Sequence, residues 1–483
     1  MQYAILFLIL ENAQRIKKYK VMSIVLTHGY FLEEDESEKK IMRPYPPLGL
    51  LYISGYLEQN GLPHQVIDTT FSSEQKWMNQ LVELKPTLLA FYTNLMTKVK
   101  IIHLIKQLKN NPETSHIKIL LGGPDVTYNW ENYLMYGADF IVIGEGEETF
   151  LELSREFLST QNYSEITGLA YKNELGEFVK NNPRVKMKDV DQFPLPNRKK
   201  IDLSEYLRTW KTHHGKSTLN ISTQRGCPYT CQWCSTAVYG QSYRRRNPVL
   251  VVDEIEELIA TYQPDALWFV DDVFTVSHKW IAAFSAEMQR RNIQIPFECI
   301  TRAERLSPEI FEQLKAAGCF RIWIGAESGS QRIIDLMERQ VDIKKVSEMI
   351  QLSKKYDIES GTFIMVGYPT ETKQDIQQTI NYLKEANPDI FTITVAYPIK
   401  GTGLYHQIEK DITVQPPWNL STDRQIDFKR TYPRKFYTYA VRKIVNEVHF
   451  NKAKLNKEVL SKKAVKFKVK SIISGLQMRL NSF

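Results

Sequence analysis

Apolar residues recur along this chain in short β-branched and aromatic runs, separated by stretches in which they return every three or four positions. The runs read as strands buried on both faces, and the stretches between them as amphipathic helices. Strands are predicted at Ser23–Leu26, His64–Ile67, Leu88–Tyr92, Lys118–Leu121 and Phe140–Ile143, and helices at Leu48–Gln59, Ser73–Val82, Val99–Leu108 and Glu147–Phe157. This succession predicts an α/β domain over residues 22–158, a doubly wound, Rossmann-like parallel sheet with its ligand at the carboxyl ends of the strands. Residues 1–21 read as an N-terminal extension with Met22 as a candidate native start, or alternatively as an extra helix. The apolar run Tyr3–Leu10 has its charges after it, at Arg15, Lys17, Lys18 and Lys20, the wrong order for a secretory signal.

Residues 159–213 change character. Leu169–Val179 reads as a hairpin around Gly176, and the polar, Pro-bearing stretch Asp189–Lys200 reads as a linker. A second alternating array over residues 214–401 predicts strands at Thr218–Thr223, Ala266–Val270, Pro296–Thr301, Arg321–Ala326, Gly361–Val366 and Ile390–Ala396. Helices are predicted between them at Val249–Thr261, Lys279–Arg291, Pro308–Ala317, Ile343–Tyr356 and Lys373–Ala386. Six strand–helix units predict a partial (β/α)6 barrel, with reactive groups at the strand C-termini. Residues 402–483 form a mostly helical C-terminal region. Its Trp418, Tyr432, Phe436, Tyr437 and Tyr439 either cover the barrel mouth or pack a core of their own.

Directly after the first strand of the second array stands Arg225-Gly226-Cys227-Pro228-Tyr229-Thr230-Cys231-Gln232-Trp233-Cys234, which holds three of the five cysteines. Three thiolates this close suit metal ligation. A 4Fe-4S cluster normally takes four Cys, so three leave one iron open for a ligand that is not protein. A zinc knuckle completed by Cys299 or Cys319, or a structural cluster, would use the same residues; Cys299 and Cys319 otherwise read as buried packing residues. An odd cysteine number with three clustered does not suit a disulfide framework, and a reducing, cytoplasmic setting fits.

Charge matters by location. Lys and Arg total 63 against 55 acids, a net +8. Residues 451–483 hold nine basic residues and one acid, so the excess lies in the tail (9 − 1 = 8). The body is formally neutral, with no general nucleic-acid-binding field and no appended RNA-binding domain. In the tail, Val465, Val469, Ile472, Leu476 and Leu480 recur at helical spacing among Lys462, Lys463, Lys466, Lys468 and Lys470. This basic amphipathic helix either docks on its own protein or touches an anionic membrane surface or a carrier-bound substrate. No stretch reaches the roughly 18 apolar residues of a membrane span.

Cys227, Cys231 and Cys234, with aromatic Trp233 before the last, resemble the C-x3-C-x-aromatic-C motif of radical S-adenosylmethionine (SAM) enzymes. The strand tips that follow resemble that family in order: Asp271-Asp272, Arg302, Glu327-Ser328 and the glycine motif running to Gly367. The resemblance implies a 4Fe-4S cluster on the three cysteines with SAM chelated to the fourth iron. It implies Trp233 and Gly367 near the adenine, Asp271 or Asp272 at the ammonium, Arg302 at the carboxylate, and Glu327 and Ser328 at the ribose and amino acid. For one of the two aspartates a helix N-cap is the competing role, and for Arg302 a salt bridge. In the first domain, Pro47-Leu48-Gly49, Gly122-Gly123 and Gly144-Glu145-Gly146 resemble the cobalamin-binding domain fused to one branch of these enzymes, which includes methyltransferases and anaerobic cyclases. Ordinary turn chemistry is the other use of such glycines.

The Asp-x-His-x-x-Gly motif that gives cobalt a histidine is absent, and His28 reads as a loop residue, so cobalamin would bind without a protein histidine. By resemblance, a 5′-deoxyadenosyl radical abstracts hydrogen from a small-molecule or carrier-bound substrate, and methylcobalamin methylates the unactivated carbon. A reducing partner such as flavodoxin or ferredoxin supplies electrons. The alternatives are a radical cyclase, rearrangement or oxygen-insertion enzyme without methyl transfer, and a non-enzymatic metal-binding module.

Overall fold

A computed structural model describes residues 23–482 of this chain; the predicted extension over residues 1–21 and the candidate start at Met22 lie outside the described residues. Two compact units are present. The first is built on strands β1 (Ile24–Thr27), β2 (Gln65–Val66), β3 (Leu88–Tyr92), β4 (Lys118–Gly122), β5 (Phe140–Val142), β6 (Leu169–Lys172) and β7 (Phe178–Lys180). They run in the order β2-β1-β3-β4-β5-β6-β7. The first five are mutually parallel and the last two antiparallel. The reversal between β1 and β3 is the switch point at which such sheets place ligands.

Strand alternation puts helices on both faces. Leu26, Leu88, Ala90, Leu120 and Val142 share a core with Leu50 and Leu57 of α1 (Leu48–Gln59). Phe91, pointing the other way, meets Trp77 of α2 (Glu74–Leu84) at 5.9 Å between ring centroids. Three further helices follow in chain order: α3 (Lys98–Asn110), α4 (Val126–Met135) and α5 (Glu147–Leu158). The predicted hairpin forms, yet it is no free connector: β6 pairs with β5 and extends the first sheet. Among the helices that escaped the sequence pattern, α4 is interrupted at Asn129, whose backbone is not helical, and α6 (Leu203–His214) lies at the end of residues 159–213, read as hairpin and linker.

The second unit carries β8 (Thr218–Ile221), the short pair β9 (Gln224–Arg225) and β10 (Arg244–Arg245), then β11 (Ala266–Phe269), β12 (Phe297–Thr301), β13 (Cys319–Glu327), β14 (Glu359–Val366) and β15 (Ile390–Val395). The main sheet is parallel throughout, in the order β15-β14-β13-β12-β11-β8. Each strand lies beside the one before it in this sheet, and β8 and β15 stay unpaired with each other, so the sheet is an open half-barrel. The intervening helices are α7 (Pro248–Tyr262), α8 (His278–Arg290), α9 (Pro308–Ala316), α10 (Gln331–Leu336), α11 (Ile343–Lys355) and α12 (Lys373–Ala386). Their starts are written locally. Asn247 and Ser307 cap α7 and α9 ahead of Pro248 and Pro308, and Thr372 with Asp375 forms a capping box on α12.

After α13 (Gly403–Ile408) the chain ends in two long helices, α14 (Arg434–Leu455) and α15 (Lys462–Leu480). Phe436 and Tyr437 of α14 are fully buried, so these aromatics pack a core. α15 docks on its own unit, but through its small and polar side. Ala464, Ser471, Ser474 and Met478 are buried, whereas Val465, Val469, Ile472, Leu476 and Leu480 are 49%, 49%, 55%, 53% and 81% exposed. The cause is Glu447 of α14. Its carboxylate accepts from Ser471 Oγ at 2.6 Å, from Lys468 Nζ at 3.1 Å and from Lys384 Nζ. Burial pushes the Glu447 carboxyl up, but the bonds from Lys384, Ser471 and Lys468 outweigh it and hold it at about 2.

A carboxyl whose folded pKa is depressed stabilises above its unfolded value and loses that contribution as pH falls through the folded one. Glu447→Ala should therefore cost about 1–3 kcal/mol at neutral pH. Amide hydrogen exchange of Lys462–Leu480 should quicken about tenfold or more, the variant and wild type converging only as pH falls toward 2.

Candidate active site

The cysteine loop leaves the carboxyl end of β8 and is tied down before the first cysteine. Gly226 has φ +86°, and a Cβ there would stand 2.5 Å from the Ser242 carbonyl oxygen, so only glycine fits. β9 pairs with β10, and Cys227 makes a single bridge to Gln241. Further along, Gln232 N–H donates to the Met337 carbonyl at 3.2 Å and its own carbonyl accepts from Leu404 N–H at 2.7 Å. Trp233 packs against the cluster holding Tyr368, Met365 and Phe428, which sets it beside the segment of Gly367.

Two guanidinium groups stand over Cys231. Arg302 Nη1 lies 3.6 Å and Arg339 Nη1 3.8 Å from its sulfur. Arg302 is buried and fully engaged: it bonds the Glu304 carboxylate and the Arg339 carbonyl, and its guanidinium stacks 3.8 Å above the Tyr229 ring. All three thiols are shifted upward, chiefly by burial. Cys234 reaches about 12 because Asp272, Cys231 and Cys227 add repulsion to the burial of its thiol, although part of the residue is exposed. Three such thiols favour deprotonation only beside added positive charge, which iron supplies.

The donor set thus fits a cluster. Among the described residues no three His, Cys, Asp or Glu side chains gather tightly enough for a single ion. Cys299 and Cys319 are buried on adjacent strands β12 and β13, where burial and the neighbouring Cys319 raise the Cys299 thiol; they are core residues, which disfavours the zinc knuckle.

At the next strand tips the predicted residues separate by role. Asp271 is fully enclosed, accepting from Thr223 N–H at 2.7 Å, Gln224 N–H at 3.1 Å, Ser222 Oγ at 3.3 Å and the Thr223 hydroxyl. Arg245 stands 3.8 Å away. Its lone pairs are used within the fold, which corrects the reading of Asp271 as a ligand acceptor and leaves Asp272, whose charge acts on Cys227 and Cys234. Glu327 ends β13 with φ +66°, and burial lifts its carboxyl to about 8 against the pull of Arg302. Ser328 is completely buried and its hydroxyl accepts from Ser330 N–H at 3.1 Å. It shapes the turn rather than an open surface, contrary to the predicted contact. Gly367, φ +79°, donates its N–H to Glu371 Oε2 at 2.5 Å, while Arg430 Nε donates to its carbonyl at 3.2 Å.

In the first unit the predicted residues collect at the carboxyl edge of the sheet. Pro47 precedes α1 and its carbonyl accepts from Leu50 and Leu51. Leu48 is buried, and Gly49 lies against the Tyr92 ring, 3.1 Å from an added Cβ. Gly123 (φ +113°) is glycine for the fold's own sake, since a Cβ would meet the Thr93 carbonyl at 2.4 Å. Gly122 and Gly144 differ: a Cβ would find its nearest neighbour at 3.9 and 3.8 Å. Gly146 precedes α5 and Glu145 is buried. The hydroxyls of Thr27 and Thr93, at the ends of β1 and β3, are buried without a partner. Open backbone with orphaned hydroxyls fits a large polar ligand. His28 is committed elsewhere: Nε2 meets Asp68 Oδ1 at 2.8 Å and Nδ1 accepts from Tyr30 N–H at 3.2 Å.

Arg339, Tyr229 and Arg245 have no counterpart in the sequence reading. Arg339 follows a short helix between two residues of positive φ, Glu338 and Gln340, a strained segment that carries no sequence periodicity. Glu371 also went unnoticed. It is fully buried, one carboxylate oxygen lacks a partner, and burial raises it to about 8. A carboxyl whose folded pKa exceeds its unfolded one binds more protons when folded, so it costs stability as pH rises between the two. Glu371→Gln should flatten the fall in the metal-free protein's unfolding free energy between pH 5 and pH 8, followed by urea titration, by an amount on the order of a few kcal/mol.

Two family models match the chain, the B12 binding domain over residues 40–154 and the radical SAM superfamily over residues 221–383. The chain is 28% identical over 421 residues to an uncharacterised methyltransferase of Pyrococcus horikoshii, covering 83% of this chain and 87% of that protein. It is 25% identical over 410 residues to the anaerobic magnesium-protoporphyrin IX monomethyl ester cyclase of Cereibacter sphaeroides, covering 81% of this chain and 64% of that one. The fold is shared with the radical S-adenosylmethionine methyltransferase TsrM of Kitasatospora setae, solved with cobalamin and a [4Fe-4S] cluster bound: TM-score 0.69 at 16% identity, over 89% of this chain and 88% of the other. With a B12-binding domain ahead of a half-barrel that opens on three cysteines, this chain belongs to the cobalamin-binding-domain branch of the radical SAM enzymes.

Proposed function

We propose that this enzyme methylates an unactivated carbon of a small-molecule or carrier-bound substrate, using a 4Fe-4S cluster, SAM and cobalamin. The observation that carries the reading is the cysteine loop: three thiols that act on one another electrostatically, under two guanidinium groups, at the carboxyl end of a half-barrel strand. The methyltransferase reading is further supported by a relative of that name matching most of both chains. When bound, the cluster and SAM supply a hydrogen-abstracting carbon radical and cobalamin supplies the methyl group.

The protein's part is placement and charge. Cys227, Cys231 and Cys234 would hold the iron, with Arg302 and Arg339 offsetting the thiolate charge at Cys231. Asp272, whose charge acts on Cys227 and Cys234, would accept from the SAM ammonium. Glu327 would donate or accept at the amino acid or ribose according to its protonation, and Trp233 with the Gly367 segment would flank the adenine. Arg302 reaches the SAM carboxylate only through the Nη1 edge that now faces Cys231. In the other unit Gly122, Gly144 and the Thr27 and Thr93 hydroxyls would receive cobalamin, without His28.

A radical cyclase that transfers no methyl group is the second reading, favoured by the match to a cyclase. Labelled SAM distinguishes the two under anaerobic, reducing conditions. Methylation yields S-adenosylhomocysteine and 5′-deoxyadenosine in equal amounts with label in the product, whereas 5′-deoxyadenosine alone would overturn it. Cys231→Ala should remove the iron absorbance and lower SAM cleavage by about a thousandfold or more. For cobalamin, the electron paramagnetic resonance of the Co(II) form should lack splitting from a protein imidazole nitrogen, in wild type and His28→Ala alike.

A further inference from the structure

The outward face of α15 is a continuous stripe. At 100° per residue, Val465, Val469, Ile472, Ile473, Leu476 and Leu480 fall within an arc of about 100°, and all six are between 48% and 81% exposed. Leu455 at the end of α14 and Leu460 in the connecting turn are also exposed, at 57% and 92%. Lys463, Lys466 and Lys470 border one side of the stripe, Arg479 the other, and Lys462 opens the helix. The helix contains no acidic residue. The inward face cannot exchange with the outward one, because Ser471 and Lys468 are held by Glu447 and the Phe467 ring stacks on His449 at 5.1 Å.

We propose that α15 binds in the plane of an anionic lipid surface, its apolar stripe entering the headgroup boundary and its basic borders meeting lipid phosphates. Charge chooses this occupant. A cationic apolar face complements an anionic bilayer, with each basic residue adding to the attraction. A second copy of the chain does not suit it. Nineteen helical residues span about 28 Å, so a face about 10 Å wide offers roughly 300 Å² against about 800 Å² per partner in a stable interface, and like-charged borders would oppose each other. No helix among the described residues is long and apolar enough to cross a membrane.

The test is flotation of the full chain with vesicles of phosphatidylcholine alone or with about one-third phosphatidylglycerol. Wild type should float with the anionic vesicles at least about tenfold better, and should release in 1 M salt, where the Debye length falls to about 3 Å. Ile472→Glu with Leu476→Glu should lower binding at least about tenfold, as should Lys466→Glu with Lys470→Glu. All four positions are exposed, and unchanged circular dichroism and melting midpoint confirm that folding is intact. Equal binding to both vesicle types, no binding to either, variants that bind like wild type, or a wild-type dimer that Ile472→Glu with Leu476→Glu dissolves would each overturn the proposal.

Discussion

The second unit depends on one buried carboxylate. Asp271, at the end of β11, accepts from two successive backbone N–H groups, Thr223 and Gln224, and from the hydroxyls of Ser222 and Thr223. Those residues are the turn by which β8 becomes the cysteine loop. Without the carboxylate, two buried N–H groups would be left unpaired, each costing about 1–3 kcal/mol. Arg245 closes the arrangement, and its guanidinium is itself held 3.4 Å above the Trp280 ring. A parallel strand pairing, β8 with β11, is thus extended by side-chain bonds beyond the last residue of the strand. The cysteines hang from a rigid anchor.

From that anchor the loop's electrostatics follow. Burial alone disfavours thiolates, as the upward shifts at Cys227, Cys231 and Cys234 show. Arg302 and Arg339 supply a standing counter-charge at Cys231, and burying them demands partners of their own. Glu304, the Arg339 carbonyl and the Tyr229 ring satisfy Arg302, while Arg339 Nη2 donates to the Gly325 carbonyl at 3.1 Å. The preorganised charge at Cys231 is therefore a property of the folded strand tips, present before any cofactor arrives.

Much of this was legible in the sequence. Apolar runs marked the inner strands of the half-barrel because a parallel strand buried on both faces leaves a continuous signature, and the edge strand β15, only partly buried, was still marked by its β-branched residues. The cysteine spacing declared its own chemistry. What stayed hidden depends on direction rather than composition. Asp271 and Asp272 are adjacent and chemically identical, and only the alternation of side chains past the end of β11 turns one inward to Thr223 and the other toward the cysteines. Ser328 looks like a ligand contact by motif, yet the turn before α10 buries it. Arg339 enters from a loop with no periodicity, and the outward apolar face of α15 is decided by a polar residue, Glu447, on another helix.

The carboxyl groups of the half-barrel divide by what surrounds them, and that division separates scaffold from site. Asp375 is held well below the ordinary range: burial opposes this, but Arg332, Ser330 and Thr372 all bond the charged form, and it caps α12. Asp271 also has a full set of donors, although complete burial outweighs them and carries its carboxyl upward. Glu327 and Glu371 have few, so burial prevails and lifts both to about 8. A fully bonded carboxylate has no capacity left for a ligand, whereas an underbonded one is a standing cost that a ligand's ammonium, hydroxyl or amide group can relieve. On that reasoning Glu327, at a strained φ beside the cysteine loop, gains most from an incoming donor. Asp375 and Asp271 have already given all they hold to the fold.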